Sequence, residues 1–184
     1  MKAKLIPSTP FGPVVLLWSE LRGRPTVFRV LLSQPCLSVA DRTAMLYPGA
    51  RPGSCREIDR LAASIHAFLE GQAIVFPLDV AALSACSPFQ QRVLRAEHAI
   101  PRGRVSTYGL IAGRLGDRHA ARAVGHALAT NPFPLIVPCH RAVKSDGSLG
   151  GFQGGPAMKR ALLEREGVPF DRAGRVAVRR FHYS

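Results

Sequence analysis

Residues 108–131 read YGLIAGRLGDRHAARAVGHALATN and predict two short helices joined by a tight turn. The first helix would span residues 108–115 and end at Gly116, a residue that tolerates the left-handed backbone of a helix terminus. The second would span residues 118–130 and end before Pro132, which lacks a backbone donor. This order matches a helix-turn-helix, whose second helix lies in the major groove of DNA in known complexes.

The charge of the chain favours a DNA partner for this helix pair, which could otherwise be simple packing. The sequence holds 25 Lys+Arg against 12 Asp+Glu, and 21 of the basic residues are Arg. Residues 81–184 carry a net charge of +10 and residues 1–80 only +3. Arginine suits phosphate because its guanidinium is a planar fork of donors. On charge alone, a nucleic-acid partner and a basic surface that contacts only solvent are about equally favoured.

Residues 1–80 predict an α/β domain that precedes the helix pair. Two apolar runs, 14–18 and 26–32, have the composition of strands. Residues 33–53 are rich in Pro, Gly and Ser and are expected to form a loop. Residues 54–57 have capping-box spacing and open a helix. The apolar stripe of that helix consists of Ile58, Leu61, Ile65, Phe68 and Leu69.

The remainder of the chain predicts a mostly helical domain over residues 81–184. A second capping box, at residues 87–90, opens a helix with Pro at its first position. Prolines within residues 132–138 impose an extended path, and a glycine-rich loop follows later in the chain. Another helix is expected from Pro156. The tail, residues 176–183, is expected to be an edge strand or a loose arm.

The cysteines and the apolar runs exclude several classes of protein. The four cysteines are far apart and form no C-x-x-C pair; they are Cys36, Cys55, Cys86 and Cys139. Such usage favours a reducing cytosol over a disulfide framework or a zinc site. No apolar run reaches the roughly 18 residues of a membrane helix, and no secretory signal is recognised. We therefore expect a cytoplasmic chain that uses neither membrane, metal nor cofactor.

Cys139 is a candidate nucleophile because His140 follows it in a proline-stiffened segment. A free thiol has a pKa of about 8.5, so a neighbouring base is needed to raise the thiolate fraction. An acid would then orient the imidazole, and a late glutamate could serve. Taken alone, Cys-His adjacency is weak, because a buried inert cysteine is about three times commoner.

An ordered set of motifs around Cys139 resembles the O6-alkylguanine-DNA alkyltransferases. The similarity runs from about Phe89 to Gly167 with consistent spacing. The stretches that carry it are Ile100-Pro101-x-Gly103, Val105-Ser106-Thr107-Tyr108, Ala121-Arg122-Ala123-Val124-Gly125, Asn131-Pro132-Phe133-Pro134-Leu135-Ile136-Val137-Pro138-Cys139-His140-Arg141-Ala142-Val143 and Gly150-Gly151-Phe152-Gln153-Gly154. Residues 1–80 resemble the family only in size and in their α/β character.

The resemblance implies a reaction in which the protein acts once. Cys139 would displace the alkyl group from guanine O6 and keep it as a thioether. His140 would take the thiol proton through a water, and Glu166 would orient His140. Tyr108 would donate a hydrogen bond to the guanine ring and stabilise its developing charge. A core tyrosine at a helix start is the alternative for Tyr108.

The resemblance also implies a partner, double-stranded DNA containing O6-alkylguanine, bound by a monomer. Arg122 would enter the base stack and hold the gap left by the flipped nucleotide, or else contact a phosphate. The other residues implied to touch DNA are Tyr108, Gly109, Arg118 and Ser145. The residues implied to shape the pocket or brace its loop are Asn131, Pro138, Ala142, Gly150, Phe152 and Gln153.

The sequence differs from the family pattern at three positions, and three other functions are alternatives to alkyl transfer. Relatives commonly have Tyr where this chain has Phe152. Some relatives have a smaller residue at the position of Gln153, and some have a neutral Asn at that of Asp117. An alkyltransferase-like protein that binds damage without repair would lack Cys139. A helix-turn-helix regulator leaves Cys139 and Glu166 unexplained, and a cysteine hydrolase would regenerate its thiol.

Overall fold

The computed structural model describes residues 1–34 and 37–184, so the expectations for Cys36 fall outside it. The chain divides into two compact units. The first unit comprises Met1–Ala85 and Pro132–Ile136, and the second comprises Cys86–Asn131 and Val137–Ser184. In the described part of the chain, no helix is both long and apolar enough to span a bilayer.

The boundary between the units lies five residues later than the predicted one, after Ala85 rather than residue 80. The amide of Ala82 donates to the carbonyl of Val27 at 2.8 Å, which ties this segment to the first sheet. The amide of Val30 likewise donates to Pro132 at 2.8 Å. This bond explains why a short, sequence-distant segment belongs to the first unit.

The first unit contains a four-stranded sheet in the order β3-β2-β1-β4. Its strands are β1 (Lys2–Ile6), β2 (Val14–Leu21), β3 (Arg24–Leu32) and β4 (Arg51–Pro52). β1–β2 and β2–β3 pair antiparallel, and β1–β4 pairs parallel. The predictions of β2 and β3 are confirmed. β1 and β4 were missed, because both are short and become strands through their pairing.

The predicted loop over residues 33–53 is wrong in part, because it contains helix α1 (Val39–Leu46) as well as β4. The Ser38 hydroxyl caps α1 by accepting from the Asp41 amide at 3.1 Å. Within α1, Val39 is the buried residue. A helix that buries a single position leaves no repeating apolar stripe to be recognised in the sequence. The N-cap residue Ser38, and not an apolar period, is the feature of the sequence that indicates this helix.

Helix α2 (Arg56–Leu69) buries the predicted stripe, but its predicted capping box does not form. The N-cap residue is Cys55, which makes no side-chain capping bond. The Ser54 hydroxyl instead donates to the Asp59 carboxylate. Gly71 follows the helix with φ +108°, as a left-handed C-terminal residue.

The second unit contains four helices and a pair of two-residue strands. They are α3 (Pro88–His98), β5 (Ser106–Thr107), α4 (Tyr108–Arg114), α5 (Ala121–Ala129), β6 (Ala142–Val143) and α6 (Gly155–Arg165). Ser87 caps α3 by accepting from the Gln90 amide at 3.2 Å. The Gln90 side chain does not complete the predicted box, because it donates to the carbonyl of Ala127 at 3.0 Å.

Helices α4 and α5 form the predicted helix-turn-helix. Gly116 ends the first helix with φ +98°. Asp117 then accepts from the His119 amide at 2.8 Å and caps a 3₁₀ turn at Arg118–Ala120. The α-helix proper therefore begins at Ala121, three residues later than predicted.

Parallel pairing of β5 with β6 brings the start of α4 beside the segment that carries Cys139. Ser106 pairs with Ala142 and Thr107 with Val143. The predicted edge strand at residues 176–183 does not form, and neither does a loose arm. The His182 amide donates to Val105 at 2.7 Å, and the Tyr183 hydroxyl donates to Ala96 at 2.8 Å. Backbone and side-chain bonds thus hold the C-terminus without a ladder.

Candidate active site

Cys139 begins a buried 3₁₀ turn, Cys139–Arg141, between Pro138 and β6. The residue is only 6% exposed. Burial raises the pKa of its thiol to about 11, although a hydrogen bond from the Asn131 side chain opposes the shift. The resting group is therefore a neutral thiol, and it needs a base before it can attack.

Asn131 braces the segment that leads to Cys139. Its side-chain amide donates to the carbonyl of Val137 at 3.2 Å and also bonds the Cys139 thiol. The residue is 5% exposed and follows the C-terminus of α5. The C-cap of α5 is the preceding residue, Thr130. Asn131 thus links the end of the helix-turn-helix to the cysteine turn.

His140 is fully buried and bonded to Glu166. Its Nε2 lies 3.0 Å from Oε1 of Glu166, the residue that caps the C-terminus of α6. Burial lowers the pKa of His140 despite its carboxylate partner, so the imidazole is neutral near neutral pH. A neutral ring that donates Nε2–H to Glu166 carries its lone pair on Nδ1. Such a ring can accept a proton.

Arg141 holds the other side of the Glu166 carboxylate. Its Nη2 donates to Oε1 at 2.8 Å and its Nε to Oε2 at 2.9 Å, while Nη1 donates to the carbonyl of Ile100 at 2.6 Å. Burial alone would raise the pKa of Glu166, but the bonds from His140 and Arg141 outweigh it and lower the value to about 2. Glu166 therefore stays a carboxylate and fixes the ring of His140.

Tyr108 opens helix α4, where the Thr107 hydroxyl accepts from the Leu110 amide as N-cap. Burial raises the pKa of its phenol to about 12, so it remains a hydrogen-bond donor. Gly150 has φ +68°, and a Cβ there would come within 2.5 Å of the Tyr108 hydroxyl. Only glycine leaves room for the phenol at this position.

Lys159 is a buried cation that the sequence analysis missed. It is 0% exposed, and its Nζ donates to the carbonyls of Ala142 at 2.6 Å and Gly151 at 3.3 Å. Burial lowers its pKa to about 8. Its position did carry a signal, because it precedes Leu162 and Leu163 by three and four residues on the apolar face. The Ala142 carbonyl, at a position implied to shape the pocket, thus accepts a hydrogen bond from Lys159.

Glu97 is a buried acid that the sequence analysis also missed. It lies in the last turn of α3 and is 0% exposed. It follows Val93 by four residues and precedes Ile100 by three, so the helical period alone placed it in the core. Its charge interacts with the thiol of Cys139 and with the ammonium group of Lys159.

The remaining predicted residues lie around this cluster or on the surface. The Phe152 ring is 6.2 Å from the His140 ring in an edge-on arrangement, and Gln153 is half-buried. Arg118, Arg122 and Ser145 are exposed, and Gly109 is half-buried in the first turn of α4. Across the described ranges, no three His, Cys, Asp or Glu side chains gather as a metal site would require.

Comparison with known proteins gives consistent matches. Residues 88–168 match the family described as 6-O-methylguanine DNA methyltransferase, DNA binding domain. A methylated-DNA–protein-cysteine methyltransferase of Mycobacterium leprae is 36% identical over 162 residues, 86% of this chain and 88% of that protein. One of Methanothermobacter thermautotrophicus is 45% identical over 114 residues, 62% of this chain and only 64% of the relative.

The fold similarity extends over nearly the whole chain. The solved structure of Mycobacterium tuberculosis OGT in complex with DNA is 33% identical, with a TM-score of 0.68. The matched region covers 91% of this chain and 93% of the chain in that solved structure.

Proposed function

The chain belongs to the methylated-DNA–protein-cysteine methyltransferase family, and we propose from that premise that it repairs O6-alkylguanine in duplex DNA by moving the alkyl group onto Cys139. The observation that carries the proposal is the buried series of contacts behind Cys139. His140 is bonded to Glu166 at 3.0 Å, and Glu166 is bonded to Arg141 at 2.8 and 2.9 Å.

The first step is removal of the thiol proton. With a pKa of about 11, Cys139 is almost wholly protonated at neutral pH. His140 accepts the proton through Nδ1 and a bridging water, because its Nε2 is bonded to Glu166. Glu166 fixes the tautomer and stabilises the imidazolium that forms. Asn131 donates to the sulfur and stabilises the thiolate.

The second step is a direct displacement at the alkyl carbon. The sulfur–carbon bond forms as the carbon–O6 bond breaks, and the electron pair of the broken bond goes to guanine. The Tyr108 hydroxyl donates to the guanine ring as this charge develops, since its pKa of about 12 keeps it protonated. The proton taken from Cys139 restores neutral guanine, and the thioether stays on the protein. Each molecule therefore reacts once.

Access to the alkyl group requires the nucleotide to leave the helical stack. We assign this to the helix-turn-helix, with Arg122 of α5 filling the gap and Arg118 contacting a phosphate. Gly109, in the first turn of α4, and Ser145 are assigned to the flanking backbone. The pocket walls are assigned to Pro138, Ala142, Gly150, Phe152 and Gln153.

The reaction consumes one protein for each lesion and needs neither a second subunit nor a cofactor. We therefore propose a monomer that acts in the reducing cytoplasm, where Cys139 remains a thiol. Among the described residues, Cys55, Cys86 and Cys139 are all free cysteines.

The proposal is tested by mass spectrometry of the protein after incubation with duplex DNA containing O6-methylguanine. The wild type should gain one methyl group on the peptide that contains Cys139. Cys139→Ser should gain none and still bind DNA, whereas Cys55→Ser and Cys86→Ser should react like the wild type. Methylation of the Cys139→Ser protein would overturn the assignment.

A further inference from the structure

Glu97 is a fully buried acid in the last turn of α3. Within the described residues, neither of its carboxylate oxygens makes a hydrogen bond. The amide of Ala142 approaches the carboxylate without completing one. A buried charge of this kind is costly unless it is paired and hydrogen-bonded.

The titratable and charged groups that interact electrostatically with Glu97 come from four other parts of the second unit. They are Tyr108 from α4, Cys139 and Arg141 from the 3₁₀ turn, Lys159 from α6 and Tyr183 from the C-terminal segment. Both cations already have partners: Lys159 donates to the carbonyls of Ala142 and Gly151, and Arg141 donates to Glu166 and the carbonyl of Ile100. Neither is bonded to Glu97.

The two acids of this cluster therefore compete for the same positive charge. A negative Glu97 and a negative Cys139 would both rely on Lys159, because each interacts with it electrostatically. Like charges that share a site cannot both ionise readily. The site supports one anion at a time.

We propose that Glu97 is held as an uncharged carboxylic acid, and that this neutral state permits the Cys139 thiolate to form. Glu97 is then a positioning residue that acts on the thiol through charge, without touching the substrate. The inference deepens the proposed alkyl transfer and rests on it for its biological use. Ionisation of Glu97 lowers the fraction of Cys139 that is present as the nucleophilic thiolate.

The titration behaviour agrees with this arrangement. Burial raises the pKa of Glu97 to about 8, against the attraction of Lys159 and Arg141. The acid is thus neutral at and below neutral pH and becomes charged as the pH rises past about 8. Its negative charge contributes to the raised pKa of Cys139. Above pH 8 the thiol should therefore become harder to ionise than an isolated buried cysteine.

The test measures how fast iodoacetamide alkylates Cys139, read from the Cys139 peptide by mass spectrometry, across a pH range centred on 8. In the wild type the rate should rise with pH and then flatten near pH 8. Glu97→Gln should keep rising, and should be about tenfold faster at the alkaline end, since one pKa unit is tenfold in thiolate. The control Glu164→Gln, an exposed acid of α6, should follow the wild type.

A second readout reports Glu97 itself. The infrared C=O stretch of a protonated carboxyl group should be present in the wild type, disappear as the pH passes about 8 and be missing from Glu97→Gln. If Glu97→Gln fails to fold, Glu97→Leu takes its place. Its iodoacetamide rate should depend on pH as expected for Glu97→Gln. Parallel rate profiles of the wild type and the Glu97 variants, or absence of the infrared band, would overturn the inference.

These readouts do not depend on the proposed repair activity. If the wild type transfers no methyl group from O6-methylguanine DNA, the proposed function fails. The iodoacetamide profile and the infrared band then still decide whether Glu97 controls the thiol.

Discussion

Both units of the molecule have exposed ion pairs, but among the described residues only the second unit also has buried ones. In the described part of the first unit, Lys2–Glu20, Lys4–Asp59, Arg24–Asp79 and His66–Glu70 are surface pairs whose side chains are 30–78% exposed. The second unit has two such surface pairs, Arg160–Glu164 and Arg175–Asp171, which are 35–53% exposed, and also the His140–Glu166 and Arg141–Glu166 pairs, whose side chains are only 0–7% exposed. Exposed pairs contribute about 0–1 kcal/mol, whereas removing one partner of a buried pair costs about 3–5 kcal/mol.

The buried polar residues follow the same division. Among the described residues, the first unit buries Thr26, and the second buries Glu97, Ser106, Thr107, Asn131, His140, Arg141, Lys159 and Glu166. The first unit is built as an apolar core of ordinary composition. The second accepts the cost of burying charges because the low-polarity surroundings shift the protonation of Cys139, His140 and Tyr108.

The largest effect is expected for Glu166→Gln. The substitution leaves the guanidinium of Arg141 without its counter-charge and His140 without its carboxylate. We expect a loss of about 3–5 kcal/mol in the free energy of unfolding. The methyl-transfer rate should fall by at least about 10–100-fold, the effect of removing a partner that orients a metal-bound histidine. Denaturant melts and single-turnover kinetics measure the two losses.

Two variants of the first unit provide the matched controls. Glu20→Gln breaks an exposed pair and should change the free energy of unfolding by no more than about 1 kcal/mol. Ile65→Ala empties a core position and should cost about 2–5 kcal/mol. Both should transfer methyl groups at the wild-type rate while folded. If folded Ile65→Ala transferred methyl groups slowly, the reaction would depend on the core of the first unit as well as on the second unit.

Acid should weaken the second unit through Glu166. Its pKa is lowered from 4.5 to about 2, so its contribution is complete above pH 4.5 and disappears as the pH falls towards 2. The loss amounts to about 3 kcal/mol by linkage. Amide NMR signals of the second unit should broaden or shift in this pH window before those of the first. Glu166→Gln should lack the transition, and its persistence in that variant would assign it to another group.

A smaller effect, confined to DNA, is expected at the exposed arginines. Arg118→Ala should weaken binding to every duplex and reduce the slope of log K against log salt by about one unit. Arg122→Ala should slow transfer mainly on duplex DNA, because flipping a base costs a few kcal/mol and the free base needs no flipping. Transfer rates on duplex and on free O6-methylguanine separate the two. Equal slowing of Arg122→Ala on both would place Arg122 in the pocket.

The fold was predictable where the sequence has a strong period or a clear terminator. β2, β3 and α2 stand out as apolar runs or stripes, and Gly116 marks the turn of the helix-turn-helix. β1 was missed although Lys2, Ala3, Lys4 and Leu5 alternate as in a half-buried strand, because the alternation covers only four residues and pairing with β2 completes the strand.

The residues proposed for the site came from the order of the motifs, whereas the buried charges near Cys139 were missed. The order of the motifs predicted Cys139, His140, Glu166 and Tyr108, and the structure brings these residues into one unit. Glu97 and Lys159 were missed because charged side chains are normally assigned to solvent. Their helical positions pointed inward, and only tertiary packing shows what they meet there.

The central claim is tested most directly by the stoichiometry of methyl transfer with an excess of duplex DNA containing O6-methylguanine. We expect a single burst in which each protein molecule restores one guanine, retains one methyl group on Cys139 and then stops. Continued release of free methyl product would mean that water regenerates the thiol. DNA binding without any methyl transfer would mean that Cys139 is not an acceptor, and either result would contradict the account.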